Sequence, residues 1–332
     1  MRAAVVTEFG GSDVIKTQDW PEPVAGPGQV VIDVQLADVG FVETQIRQGM
    51  HGGFFDVTPP YVPGNSIGGR VRSAGEGVDE SWLGRSVIGR TVNFGGHADQ
   101  AVLAADALVA VPASVELQTA VAVYGDGYTA LLAFGPAPVT APVTAPLTRV
   151  SEVMITAAAG GLGILLVQLA HAAGAHVIGA ARGQAKLELV KAQGADVVVD
   201  YSEPGWEKLV LEATGGKGVD VVFEGAGTQL GKAAFETLKD GGWISAHGAP
   251  SGGFAQIDAA VAERKGITVK GINDLRVEPG SSAVNGSDVL AEAAAGRLVP
   301  VIDRIFTLDQ VGEAHAAIEN RSLLGKALIR IS

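Results

Sequence analysis

Between residues 151 and 271 short apolar runs alternate with longer mixed stretches of hydrophobic and polar residues. The apolar runs, Val153–Thr156, His176–Ala181, Val197–Asp200, Val219–Phe223, Trp243–Ala246 and Ile267–Lys270, have the length and β-branched content of buried strands. Several of the stretches between them stop at a glycine (Gly174, Gly194, Gly241), as helices do when the chain turns left-handed. Six strands with intervening helices predict an α/β fold with a doubly wound parallel six-stranded sheet.

Residues 1 to about 125 follow a different rhythm. Partial alternation in Val30–Leu36 predicts a half-buried strand, and glycine and proline interrupt the segment repeatedly, as at Pro21-Glu22-Pro23, Pro59-Pro60, Pro63-Gly64 and Gly75-Glu76-Gly77. Many short strands joined by such turns predict a small β barrel or sandwich, with a helical turn or two over Phe41–Gln48. A helix over Gly127–Phe134 leads toward the alternating region, and Pro136–Pro146 repeats Pro-Val-Thr-Ala twice, which predicts an extended surface loop. In the tail the pattern predicts helices at Ser287–Ala295 and Leu308–Asn320 and strands at Val299–Phe306 and Gly325–Ile331. About sixty residues with one strand pair make a thin independent unit, so the tail is expected to pack on the N-terminal β region.

Composition narrows the function classes. Cysteine is absent, which removes disulfides, thiolate zinc sites and cysteine nucleophiles. A net charge of −12 disfavours nonspecific binding to nucleic acid or anionic membranes. No apolar run is long enough for a membrane span, and a cytoplasmic location is expected.

The richest stretch is Val153–Gly163. Its apolar run gives way to Ala158-x-Gly160-x-x-Gly163, and good helix formers follow from Ile164. Small residues where a strand turns into a helix let backbone N–H groups approach a pyrophosphate at the positive end of the helix. That reading places Ala159, Gly160, Gly161, Leu162 and Gly163 at a dinucleotide. The other strand ends line the same ligand through Gly225, Ala226, Gly248, Ala249 and Asn273. At the second strand's end, where an acid commonly binds the adenosine ribose, stand Ala181 and Arg182, with Lys186 four residues on. Without a carboxylate there, and with two cations able to grip a 2′-phosphate, NADPH is expected over NADH.

On these motifs the chain resembles the medium-chain dehydrogenase/reductase superfamily, in particular its zinc-independent, NADPH:quinone oxidoreductase-like branch. Ala157-Ala158-Ala159-Gly160-Gly161-Leu162-Gly163 is close to that branch's nucleotide motif, and Lys186 and Tyr201 stand at its spacing for residues near the 2′-phosphate. Arg321, four residues before Gly325-Lys326, matches an arginine that reaches the same phosphate. Thr129 in Gly127-Tyr128-Thr129-Ala130 matches a threonine beside the nicotinamide ribose. The resemblance implies a GroES-like β-rich substrate domain (1–125 with 272–332) interrupted by a Rossmann NADP-binding domain (126–271), and a homodimer formed near Ile267–Gly271.

Departures from the superfamily's zinc enzymes also follow. Their cysteine falls about at Gly40 and their Gly-His-Glu at Gly64-Asn65-Ser66, and the six histidines (51, 97, 171, 176, 247, 315) show no paired ligand spacing, so no metal site is expected. Within the quinone reductase branch, Gly40-Phe41-Val42-Glu43 and Gln45 differ from the residues that line the substrate side, so substrate preference does not carry over. Hydride transfer from NADPH to a conjugated acceptor, a quinone or an α,β-unsaturated carbonyl, needs least help from the protein because charge spreads into an enolate or quinol anion. An enoyl-thioester reductase and a non-catalytic NADPH-binding protein are the alternatives. Tyr61, Tyr128, His51 and Gln45 are candidates for orienting the acceptor, with core packing or a surface hydroxyl as the competing role; no catalytic acid is assigned. Arg47 is expected to be structural, holding its loop through a carboxylate such as Glu43.

Overall fold

The computed structural model describes residues 1–50, 55–91, 94–135, 151–275 and 284–332. His51 and the Pro-Val-Thr-Ala repeat lie outside the described residues. The chain divides into two compact units, Met1–Gly125 with Gly286–Ser332, and Asp126–Asn285.

The first unit begins with an antiparallel pair, β1 (Arg2–Val6) and β2 (Ile15–Asp19). Then come β3 (Gln29–Asp38), α1 (Phe41–Arg47), β4 (Ser66–Ala74), β5 (Ser86–Arg90), β6 (Gln100–Ala104) and β7 (Val109–Ala110). Helix α2 (Leu117–Phe134) carries the chain into the second unit and starts ten residues before the helix expected at Gly127.

The second unit contains β8 (Glu152–Ile155), α3 (Gly161–Ala172), β9 (His176–Ala181), α4 (Gln184–Ala192), β10 (Val197–Asp200) and α5 (Trp206–Ala213). It continues through β11 (Val219–Glu224), α6 (Thr228–Glu236), β12 (Leu238–Ala246), α7 (Ala259–Lys265) and β13 (Thr268–Gly271). The chain returns to the first unit with α8 (Gly286–Ala294), β14 (Ile302–Thr307), α9 (Val311–Glu319) and β15 (Lys326–Arg330).

The second unit's sheet has the order β10-β9-β8-β11-β12-β13, all parallel. This is the doubly wound Rossmann arrangement, with its switch point between β8 and β11. The middles of its central strands are apolar, as strands covered on both faces require: Val153, Met154, Ile155, Val221, Val222 and Phe223 are all fully buried. Phe223 stacks on Phe134 at 5.9 Å and meets Trp243 edge-on at 5.7 Å. Strand β12 begins five residues before the expected Trp243; an irregularity in its pairing with β11 lets Asp240-Gly241-Gly242 pass within the strand.

In the first unit, β3 is the spine. It pairs antiparallel with β4, β6 and β15, and the last of these brings the tail into the N-terminal sheet. Val30, Ile32, Val34 and Ala37 of β3 enter a core shared with Val311, Ala314 and Ile329. This β-rich unit is the GroES-like part of the fold. No helix among the described residues is long and apolar enough to cross a membrane.

Candidate functional site

Two polar constellations stand out, one in each unit. The first lies along the C-terminal ends of the parallel strands. After β8, Thr156 donates its N–H to Phe223 and the chain turns sharply through Ala157, whose φ is +51°. The turn is anchored by Ala158 N–H to Ala180 O at 3.0 Å and Gly160 N–H to Ala157 O at 3.0 Å. Gly160 caps α3 without a side chain, so no side-chain acceptor covers the N–H groups of Gly161, Leu162 and Gly163. A Cβ on Gly163 would lie 2.4 Å from Ala157 O and 2.7 Å from Ala158 Cα, so only glycine lets the helix start this close to the turn. Ala159 is buried beneath it. The result is a helix N-terminus with open donors, at the switch point of the sheet, which fits a pyrophosphate.

Arg182 follows β9 on the surface, and Lys186 lies in the first turn of α4. Asp200 of β10 is in register with Ala181, and Tyr201 donates its N–H to Ala181 O at 3.1 Å. Tyr201 is therefore held against the strand end from which Arg182 emerges. One element of the sequence reading is corrected here, because a carboxylate is present, supplied by β10 rather than β9. Asp200 accepts from Gly183 N–H at 2.8 Å, Ser202 N–H at 2.9 Å and the Ser202 hydroxyl. Burial pulls its pKa up, but Ser202, the Gly183 N–H and nearby Arg182 outweigh that and hold it below the ordinary value.

The loop after β11 is organised by Glu224, which sequence reasoning missed. Its Oε1 accepts from Ala226 N–H at 2.6 Å, Gly227 N–H at 2.7 Å and the Thr156 hydroxyl at 3.2 Å, while Thr156 Oγ1 accepts the Gly225 N–H at 2.8 Å. Burial raises the Glu224 pKa against those donors. The N–H groups of Gly225 and Ala226 are thus spent inside the protein. These residues offer a ligand close backbone approach and carbonyl oxygens, not donors. The Glu224 carbonyl accepts from His247 and Gly248, and a Cβ on Gly248 would sit 2.1 Å from Gly225 O. Gly225, Ala226, Gly248 and, next to it, Ala249 are brought together in this way. An acid ending an apolar strand just before Gly-x-Gly was the available signal. His247 contacts Ser245 Oγ at 3.2 Å, and burial pushes its pKa down to about 4. Asn273 sits exposed in a short 3₁₀ turn after β13, and Thr129 is half-buried on α2; both belong to the same unit. Arg321 belongs to the other unit, in a left-handed conformation (φ +56°) just after α9.

The second constellation lies inside the first unit. Arg47 of α1 is fully buried and pairs with Glu319 of α9, not with Glu43 as the sequence suggested. Lys326 pairs with Asp38 at 2.7 Å, and both are buried. His97 is bonded through Nε2 to Asp38 O at 2.9 Å; it fits there because Gly64, at φ +94°, has no Cβ to strike its ring. Burial lowers the His97 pKa to about 4 and pushes His315 well below its usual range. Burial, with Asp38 adding to it, raises Glu43 to about 8. Tyr61 is half-buried with no partner for its hydroxyl among the described residues, and burial raises its pKa. Gln45 lies on α1 and Tyr128 on α2.

The comparisons agree with this architecture. Residues 26–113 match the family described as alcohol dehydrogenase GroES-like domain, and residues 161–277 match zinc-binding dehydrogenase. A quinone oxidoreductase-like protein 2 homolog from Nematostella vectensis is 30% identical over 99% of this chain and 88% of its own length. A 2-haloacrylate reductase from a Burkholderia species is 28% identical over 98% of both. A mycobacterial protein solved in complex with NADPH superposes with a TM-score of 0.85 at 26% identity, covering 100% of both chains. Full-length similarity, the GroES-like β unit and the Rossmann unit together make the chain a member of the medium-chain dehydrogenase/reductase superfamily, an oxidoreductase of its quinone oxidoreductase-like branch.

Proposed function

We propose that this protein is an NADPH-dependent reductase that delivers hydride to a quinone or an α,β-unsaturated carbonyl, with no metal ion at the reacting carbonyl. The observation that carries the reading is the uncapped start of α3 behind the Gly163 cradle, with Arg182, Lys186 and Tyr201 at the neighbouring strand ends. The bound cofactor supplies a hydride from its reduced nicotinamide. The chain's own residues hold it. The Gly161–Gly163 N–H groups face the pyrophosphate, and Arg182 and Lys186 meet the 2′-phosphate with Tyr201 beside them. Gly225, Ala226, Gly248, Ala249, Asn273 and Thr129 border the nicotinamide half.

The acceptor class rests on chemistry and on the relatives. Gly40 has no side chain to bind a catalytic metal, and a conjugated acceptor disperses charge without one. Reduction of a quinone takes one hydride and one proton and yields a hydroquinone. Reduction of an enone takes a hydride at the β-carbon and a proton at the α-carbon, and the 2-haloacrylate reductase supports this second reading. Among the described residues β13 ends the sheet, and its outer edge suits pairing with a second copy in a homodimer. The test is NADPH oxidation followed at 340 nm with 9,10-phenanthrenequinone, 1,4-benzoquinone and an alkyl enone. Turnover of at least one acceptor is expected. Tight NADPH binding with no turnover of any would favour a non-catalytic binding protein.

A further inference from the structure

Glu43, His97 and His315 come from α1, the loop ahead of β6 and α9, and their exposures are 4%, 0% and 0%. One ligand-type atom from each lies within 4.8 Å of the other two. Glu43 Oε2, His97 Nδ1 and both ring nitrogens of His315 have no hydrogen-bond partner among the described residues. Four buried unsatisfied atoms in one spot are costly unless something fills the space between them.

The chemistry of the donor set says what that something is. Arg47 is matched by Glu319 and Lys326 by Asp38, and among the described residues the ion-pair contact of Glu43 is the His97 ring, its Nε2 3.9 Å from Glu43 Oε2, with the charge of Lys326 also felt there. His97 Nε2 donates to Asp38 O and lies 3.9 Å from Glu43 Oε2, and that bond fixes a tautomer whose Nδ1 carries a bare lone pair, the arrangement in which the second nitrogen of an imidazole binds a metal. Two neutral imidazoles and one carboxylate suit a first-row transition cation and not magnesium or calcium, which take oxygen ligands.

We propose that Glu43, His97 and His315 form a buried site for one divalent transition cation such as zinc, which pins α1, the loop ahead of β6 and α9 together. Zinc–nitrogen and zinc–oxygen bonds of about 2.0–2.2 Å place tetrahedral ligands about 3.3 Å apart, so binding draws the three side chains inward. Water completes the coordination. Arg47 and Lys326 are the opposing charges, and Glu319 and Asp38 offset them. Because its ligands are buried, the ion is structural and does not touch an electron acceptor, so this site is independent of how hydride is transferred. The sequence hid it because its ligands stand far apart in the chain, with no paired spacing.

The full chain is unfolded in urea with a chelator, refolded with cobalt(II) as the probe, desalted, and examined by visible absorption and elemental analysis. Protein purified from cells grown with added zinc is analysed in parallel, so that a failure to refold leaves a second reading. One metal ion per chain and a tetrahedral cobalt spectrum are expected. At least tenfold less retained metal is expected in Glu43→Gln and His315→Gln, with His97→Gln used where either fails to give native circular dichroism. The exposed-histidine control His171→Gln should keep full loading. Folded wild-type protein without metal by both routes, or variants retaining as much as wild type, would overturn the proposal. NADPH binding by metal-free protein would not bear on it, so this test and that of the reductase reading fail separately.

Discussion

The two polar constellations are built by opposite strategies. At the strand ends of the Rossmann unit, polar groups are left open on purpose: α3 starts without a side-chain cap, and Arg182 stands in solvent. Groups that must not be open, the N–H groups of Gly225 and Ala226, are closed by Thr156 and Glu224. In the β-rich unit Arg47, Lys326 and Asp38 are buried and held in pairs, Arg47 with the partly exposed Glu319 and Lys326 with Asp38. An open site spends little stability and gains a ligand; a sealed cluster concentrates stability in a few side chains, since breaking a buried pair strands a charge. The difference predicts which substitutions unfold the protein and which only change what it binds.

The largest expected effect is therefore in the sealed cluster. Arg47→Ala removes a fully buried guanidinium and leaves a cavity, while partly exposed Glu319 keeps Gln48 as a donor, and should cost about 3 kcal/mol in urea unfolding. NADPH affinity of the folded fraction should change less than twofold. A loss of affinity with stability intact would reverse the contrast.

Next comes acid sensitivity. His247 has its pKa lowered to about 4 in the folded protein, against an ordinary value of 6.5. Between those values the unfolded chain binds more protons, so the stability from keeping this ring neutral is complete above about pH 6.5 and is lost as pH falls toward 4. The ring keeps some solvent exposure. The difference between unfolding free energies at pH 7 and pH 5 should therefore shrink by about 1–2 kcal/mol in His247→Gln relative to wild type. An unchanged difference would show that the ring is hydrated in the folded state.

How legible each region was follows the same division. The six parallel strands and the glycine-rich turn are local patterns, in which each strand, its turn and the next helix start are consecutive in the chain, so Val153–Gly163 could be read directly. Glu224 was less visible because its role depends on Thr156, sixty-eight positions away and just past the end of another strand. Asp200 was overlooked because the register of β10 against β9, not sequence order, puts its carboxylate on the Gly183 N–H. The partner of Arg47 lies 272 positions distant, and nothing in the spacing of α1 could choose Glu319 over Glu43.

The smallest expected effect sharpens the Asp200 correction. Its carboxylate is already held by three donors and sits near Arg182, so its residual repulsion toward a 2′-phosphate is screened. Asp200→Asn should raise the NADPH-to-NADH affinity ratio by a few-fold, about 1 kcal/mol or less. A fall in that ratio would mean that the carboxylate's hold on the Gly183 turn matters more than its charge.

The central claim is that the open strand-end site takes a 2′-phosphorylated dinucleotide. Titration calorimetry of wild type and Arg182→Ala/Lys186→Ala with NADPH and with NADH tests it most directly. Each lost charge-assisted contact is worth about 1.5–3 kcal/mol, so the double variant should bind NADPH at least a hundredfold more weakly and NADH almost unchanged. Equal losses for both cofactors, or no NADPH binding by the wild type, would contradict the account.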